Sequence, residues 1–414
     1  MSIWHPFTQH GIAGSAIEID RAEGAYLYTK DGRKIIDAIS SWWVNIHGHC
    51  HPKIVAAVQA QAAQLEQVIF AGFTHSPAEK LAEKLLKLTK FDHVFFSDSG
   101  STAVEVALKM AVGYWTHTGQ PKTKIVALED GYHGDTFGAM AAGGRSAYNV
   151  VYEDMLFDVA HVAPDDLAAL EAHLKNGDVA AFICEPLILG AGGMKMYGAD
   201  VLKKMHALCQ KYDVLFIADE VMTGFGRTGT MFAWEQAGIQ PDIVCLSKGL
   251  TGGFLPMGAT LCVSKIYDAF YSQDRSKMFF HSSSFTGNAL ACAAALASLD
   301  IWEEEPVLQR IQAILEAHKS QIARFKAHEN VSDVRYLGTI LAIDIKAQDE
   351  GYLSTLAPRL YEYYMSQDIL LRPLGNTVYV LPPYCIEKQD LEAVYDCIER
   401  SLDIVRHEGQ QRAA

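Results

Sequence analysis

Between about residues 90 and 265 the chain alternates short β-rich apolar runs with stretches whose apolar positions recur at helical spacing. The runs are His93–Phe96, Lys124–Leu128, Ala180–Cys184, Val214–Ala218, Ile243–Leu246 and Ala259–Val263. Between the first two, Val104, Leu108, Ala111 and Trp115 share one helical face, and Val201–Lys211 is a helical stretch between the third and fourth. This alternation predicts an α/β layer structure, a mainly parallel sheet flanked by helices.

The flanks read differently. Gly24–Ile39 predicts a hairpin, with Asp31 and Gly32 as the turn between AYLYT and KIID. Residues 53–66 and 78–88 are predicted helices, the second with Leu81, Leu85 and Leu88 on one face. A long helical pattern begins after Gly287 and is interrupted at Glu303–Pro306, which sets a boundary near residue 305. Beyond it, 308–327 reads as helix, 333–345 and 377–381 as strands, and Leu391, Val394, Ile398 and Leu402 line a final helix. No repeat of 20–50 residues and no low-complexity tract interrupts the pattern.

Composition narrows the class. Half of the 414 residues are hydrophobic and 20% are charged, which excludes a disordered, collagenous or coiled-coil chain. Its 35 basic and 49 acidic residues leave a net charge of −14, so neither a nucleic acid nor an anionic membrane is expected as a partner. The eight cysteines form no C-x-x-C pair and suit free thiols in a reducing compartment. The opening MSIWHPFTQHG has no charged and apolar leader pattern, and the apolar run Ala289–Ala297 is about half the roughly 18 residues of a membrane span. A soluble cytoplasmic protein is expected.

Two tempting motifs carry little. GFGRTG, Gly224 to Gly229, follows a strand but satisfies the dinucleotide fingerprint only if a helix opens at the glycines and an acid ends the next strand; Asp242 precedes that strand instead. His47, His49 and His51 alternate as metal ligands can, yet no further ligand stands nearby, and a tight turn at Gly48 leading into a helix at Pro52 explains them. No metal site is expected.

A third constellation has more content. Asp219 and Lys248 follow neighbouring strands of the predicted sheet, which brings both to the carboxyl edge where such sheets bind ligands. Singly, one reads as a helix cap and the other as a solvated loop residue. Together they match the needs of pyridoxal phosphate, a lysine to condense with its aldehyde and an acid for its ring nitrogen. Ser97–Thr102, between a strand and a helix, offers amides and hydroxyls to a phosphate, or else an ordinary N-cap. Tyr132, in GYHGD after another strand, offers a ring to stack on a pyridine, or else a surface turn.

The ordered set SDSGS, GYHGDT, CEPLILGAGGM, IADEVMTGFGRTG, LSKG and FTGN, spread over nearly the whole chain, resembles the class III aminotransferases among the fold-type-I pyridoxal phosphate enzymes. Within that class, IWHPFTQ, SSWW at 40–43 and LRPLGNTVYVLPPY look like the branch that aminates 8-amino-7-oxononanoate in biotin synthesis. The resemblance implies a large cofactor-binding domain over 51–305 and a smaller α+β domain built from both ends, 1–50 and 306–414.

The same resemblance implies roles. Lys248 carries the cofactor and moves the proton, Asp219 holds the ring nitrogen, Tyr132 stacks on the ring, and Gly100 and Ser101 bind the phosphate. Ser283 and Ser284 match a phosphate-binding pair given by a neighbouring subunit, which implies a homodimer with shared sites. Phe7, Trp42, Ser282 and Arg372 match substrate-contacting positions, Arg372 suiting a carboxylate, and Arg227 helps to shape the site.

Three positions depart from the pattern. Phe7 stands where many members have tyrosine, which leaves the donor open between S-adenosylmethionine and lysine. Leu189 stands where glutamine is common, removing one hydrogen bond on the cofactor side, and Ser284 replaces threonine but keeps the hydroxyl. Rival readings are a class III transaminase of ω-amino acids, ornithine or 4-aminobutyrate, an NAD-dependent dehydrogenase built on GFGRTG, and a silent binding protein on the same scaffold.

Overall fold

The structure, a computed structural model, describes residues 2–347 and 351–411, with side chains described in the final helix as far as Asp403. Its centre is a seven-stranded sheet in the spatial order His93–Ser97, Gly258–Cys262, Ile243–Leu246, Leu215–Asp219, Val179–Cys184, Lys124–Leu128 and Val159–Val162. All six predicted runs are strands, and the pairs from Ile243–Leu246 outward to Val159–Val162 are parallel. Gly258–Cys262 is the exception, antiparallel to both of its neighbours. The edge strand Val159–Val162 escapes the sequence pattern because it is four residues long and only its two ends are buried.

These strands read as continuous apolar runs because both faces of the sheet are covered. Ile217, Ile183 and Leu215 point to the layer of Gly100–His117, where Val104, Ala107, Ala111 and Trp115 are buried. Phe216, Ala218 and Phe182 point the other way, into a core shared with Ala199–Lys211 and the C-terminal elements. Each residue stepped along a strand therefore changes layer.

The chain ends build two smaller sheets. Ile19–Glu23, Tyr26–Thr29 and Lys34–Asp37 form an antiparallel meander, and Ile369–Leu370 joins it in parallel, Ile369 opposite Ile36. Thr377–Val380 pairs with Ile340–Ile345, which pairs with Val331–Leu337. The expected single strand over 333–345 is thus a hairpin. It reverses at Gly338, whose positive φ of 56° and direct packing on the main chain of Arg227 and Thr228 leave no room for a Cβ. Helix Leu356–Ser366 was not expected from the sequence; the helix Ala289–Glu304 ends before Pro306, and Val307–Lys326 follows.

Candidate active site

Asp219 is the last residue of Leu215–Asp219, paired in register with Cys245 of the neighbouring strand, and Lys248 begins the short turn after that neighbour. Parallel register therefore delivers both side chains to one edge. They line a cavity of about 420 Å³ together with Gly100, Ser101 and Tyr132. The predicted cofactor set is brought together, except for the serines near 283.

The floor is a hydrogen-bonded carboxylate and imidazole. Asp219 Oδ2 lies 2.7 Å from His133 Nδ1, both side chains are buried, and Asp219 Oδ1 accepts the Val221 amide at 3.1 Å. His133 Nε2 is buried without a hydrogen-bond partner. Lys248 lies with its Nζ 4.7 Å from the centre of the Trp43 ring and adopts a left-handed φ of 45°. Burial pushes its ammonium down to about 8, against the pull of Asp219 and Glu185.

At the other end of the cavity the helix Gly100–His117 begins with a capping box between Ser99 and Thr102. The capping box takes the Thr102 amide, but those of Gly100 and Ser101 have no acceptor, and both residues line the cavity, so an anion there meets free donors and the positive helix end. Gly100 is required by packing, since a Cβ would stand 2.7 Å from Val221 Cγ1.

The mouth is aromatic. Phe7 and Trp42 rings lie 5.5 Å apart, and the Arg372 guanidinium sits 5.4 Å from the Trp42 ring while Nη2 donates to the Phe7 carbonyl at 3.2 Å. Tyr148 and Tyr352, 4.6 Å apart, complete a collar with Phe7 at 5.9 and 6.3 Å. Both tyrosines also line an adjoining chamber of about 720 Å³, so they stand at the junction of the two spaces.

Ser282, Ser283 and Ser284 do not line this cavity in the chain's own fold. Ser283 Oγ donates to Asp98 at 2.8 Å, the Ser282 hydroxyl donates to the Ser283 carbonyl, and the Ser284 carbonyl accepts from Gln67. Leu189 is buried and offers no polar side-chain atom.

No helix opens at GFGRTG, where residues 221–228 form successive turns, and this removes the dinucleotide reading. Arg227 is 1% exposed and donates to the carbonyls of Pro382, Asn45 and Trp43 at 2.8, 3.2 and 3.3 Å, tying both chain ends to this turn. The three imidazoles take three different partners: His47 faces Ser298, His49 faces Asp37 and His51 faces Glu305.

Four residues of the site carry no assignment from the sequence. Glu185 had a usable signal, a carboxylate directly after a buried strand as Asp219 is. His133 stands beside Tyr132 in GYHGD. Tyr148 and Tyr352 lie in loops with no periodic pattern to point to them.

The family model for class-III aminotransferases matches residues 9–402. The chain belongs to the class-III aminotransferases. It is a pyridoxal-phosphate-dependent transaminase of fold type I. A relative from Synechococcus elongatus described as adenosylmethionine-8-amino-7-oxononanoate aminotransferase is 46% identical over 97% of this chain and 98% of its own. A crystal structure of the enzyme of that name from Methanocaldococcus jannaschii matches with a TM-score of 0.93 and 35% identity, covering 97% of each chain. An amine transaminase from an uncultivated Pseudomonas species, with pyridoxal phosphate bound, matches with a TM-score of 0.89 at 32% identity over 97% of this chain and 98% of that one.

Proposed function

We propose that this class-III aminotransferase converts 8-amino-7-oxononanoate to 7,8-diaminononanoate, taking the amino group from S-adenosylmethionine. One observation carries the substrate side of this reading: an arginine, Arg372, held over Trp42 at the aromatic mouth of the cavity that contains Lys248 and Asp219. A guanidinium there suits the carboxylate of a chain whose reacting carbon reaches Lys248. The names of the relatives support both substrates. Lysine is the second donor, favoured by Phe7 in place of tyrosine.

The cavity fits pyridoxal phosphate. Lys248 would hold it covalently, Asp219 its ring nitrogen, Tyr132 its ring face, and Gly100 and Ser101 its phosphate, with Ser283 and Ser284 from a second copy of the chain completing the phosphate site. The free first-turn donors and the glycine pressed on Val221 support this fit. When bound, the cofactor supplies an aldehyde that captures the amine and a ring that withdraws electrons from the carbon losing its proton.

The chain's own groups manage charge and protons. Asp219, fixed by His133 and the Val221 amide, presents a carboxylate that favours a protonated ring nitrogen. Lys248, with its pKa lowered to about 8, gives up its proton far more readily than an exposed lysine and is the group positioned to move one between carbons. The Trp43 ring, 4.7 Å from its Nζ, packs against it on one side.

We read the two chain ends as one smaller domain beside the part, 51–305, that carries Lys248 and Asp219. The pairing of Ile369 with Ile36 supports this, and Phe7, Trp42 and Arg372 all come from those ends. Among the described residues no helix is long and apolar enough to cross a membrane. The eight unpaired cysteines suit a reducing compartment, and we assign the reaction to the cytoplasm.

Mixing the cofactor-loaded enzyme with each donor alone and following its visible absorbance tests the donor. S-adenosylmethionine should discharge the band at catalytic rates; discharge by lysine and not by S-adenosylmethionine would reverse the choice.

A further inference from the structure

Glu185 follows Val179–Cys184 directly and stands at the same sheet edge as Asp219, one strand away, with Ala218 opposite Cys184. It is 4% exposed and lines the cavity that holds Lys248. Its two oxygens serve different loops. Oε1 accepts the Tyr132 amide at 2.9 Å, Oε2 accepts the Gly190 amide at 3.0 Å, and the Glu185 carbonyl takes the Tyr197 hydroxyl at 2.6 Å.

We propose that Glu185 is a positioning residue for the transamination, clamping the main chain of Tyr132 to the turn at Gly190 and facing Lys248 with a negative charge. The inference rests on the reading of Lys248 as the reacting amine. Only a carboxylate can do both tasks. It accepts at both oxygens, whereas a glutamine in the same place accepts one amide and turns its own NH₂ against the other.

The charged and titratable groups facing Glu185 come from every neighbouring element. His133 and Tyr132 lie on the loop after Lys124–Leu128, Asp219 on the adjacent strand, Lys248 beyond it, and Cys184 and Tyr197 beside its own strand end. Burial pushes the carboxyl up to about 7, Asp219 adds to this, and His133 and the two amides pull it down. The two accepted amides at its oxygens and His133 favour the carboxylate over the acid. An anion there keeps Lys248 protonated to higher pH than burial alone allows.

The test uses cofactor-free protein, labelled with an amine-selective reagent across a pH series, with the Lys248 peptide quantified by mass spectrometry. In E185Q the labelling midpoint should fall by roughly one pH unit. E185D keeps the charge and shortens the reach, so its midpoint should stay near that of the parent while the amides of 130–134 exchange hydrogen faster. An unmoved midpoint in E185Q overturns the charge, and unmoved exchange in E185D overturns the clamp, so the proposal stays open to refutation if E185Q does not fold. Borohydride reduction of the parent holoenzyme, which fixes the cofactor on its lysine, checks the reading of Lys248 separately.

Discussion

Asp219 and His133 meet at 2.7 Å in a place closed to solvent, carboxylate to imidazole, with the second imidazole nitrogen left without a partner. A hydrogen bond to a charged group is worth about 1.5–3 kcal/mol, a factor of roughly 10 to 150. His133→Phe should lower kcat by that factor with little change in either KM, because Asp219 is left free to turn from the ring nitrogen it supports. His133→Asn, which returns one donor, should recover part of the loss. Steady-state kinetics of the two variants decides this; equal losses in both would remove the hydrogen bond as the cause.

Lys248 gives a pH prediction with a definite sign. Its folded pKa, about 8 against an ordinary 10.5, means that the neutral amine is populated more than two units earlier than on an exposed lysine. Cofactor uptake by the cofactor-free protein needs that neutral amine, so its rate should climb with pH and level off above about 8. Between about 8 and 10.5 the unfolded chain holds a proton that the folded one has released, so folding stability should rise across that window and carry a constant penalty below it. Stopped-flow uptake and thermal unfolding over a pH series measure the two effects. A rate still climbing at pH 10 would show that burial does not depress this amine.

How far the sequence reaches is clear from where it succeeds. Asp219 and Lys248 were legible because parallel register turns strand ends into a common edge, and strand ends can be read from apolar runs. The segment Ser97–Thr102 was legible for the same reason, at the start of a helix whose apolar spacing is plain, while the choice of Gly100 and Ser101 within it came from the family resemblance. The hairpin at Gly338 was not, because its reversal is set by contact with Arg227 and Thr228 more than a hundred residues earlier. Tyr148 and Tyr352 were hidden for a related reason. Their rings meet only when loops from the middle and the end of the chain converge, and no local period records that.

Gly100→Ala tests how tightly the phosphate end is built. The added methyl would lie 2.7 Å from Val221 Cγ1, so one of the two segments has to move. Overpacking of this kind costs about 1–3 kcal/mol. The variant should unfold at lower temperature and hold the cofactor more weakly, since the displaced segments carry the first-turn amides and the Asp219 loop. Adding Val221→Ala should restore much of both losses. A double variant no better than the single one would mean that the glycine is needed for a reason other than this contact.

Arg372 gives the sharpest test of substrate choice. Its guanidinium lies 5.4 Å from the centre of the Trp42 ring and spends one N–H on the Phe7 carbonyl, which leaves the rest of its donors for a ligand. Arg372→Lys keeps the charge but loses the forked geometry that a carboxylate matches. The KM for a carboxylate-bearing ketone should therefore rise about 10- to 100-fold, in line with roughly 1.5–3 kcal/mol for hydrogen bonds to a charged group. The uptake of cofactor, governed by Lys248 and Gly100 at the far side of the cavity, should stay unchanged. The methyl ester of the same ketone separates this from general damage at the mouth: it gains little from the arginine, so its KM should move far less. An equal loss for acid and ester would show that Arg372 shapes the aromatic mouth without reading the carboxylate.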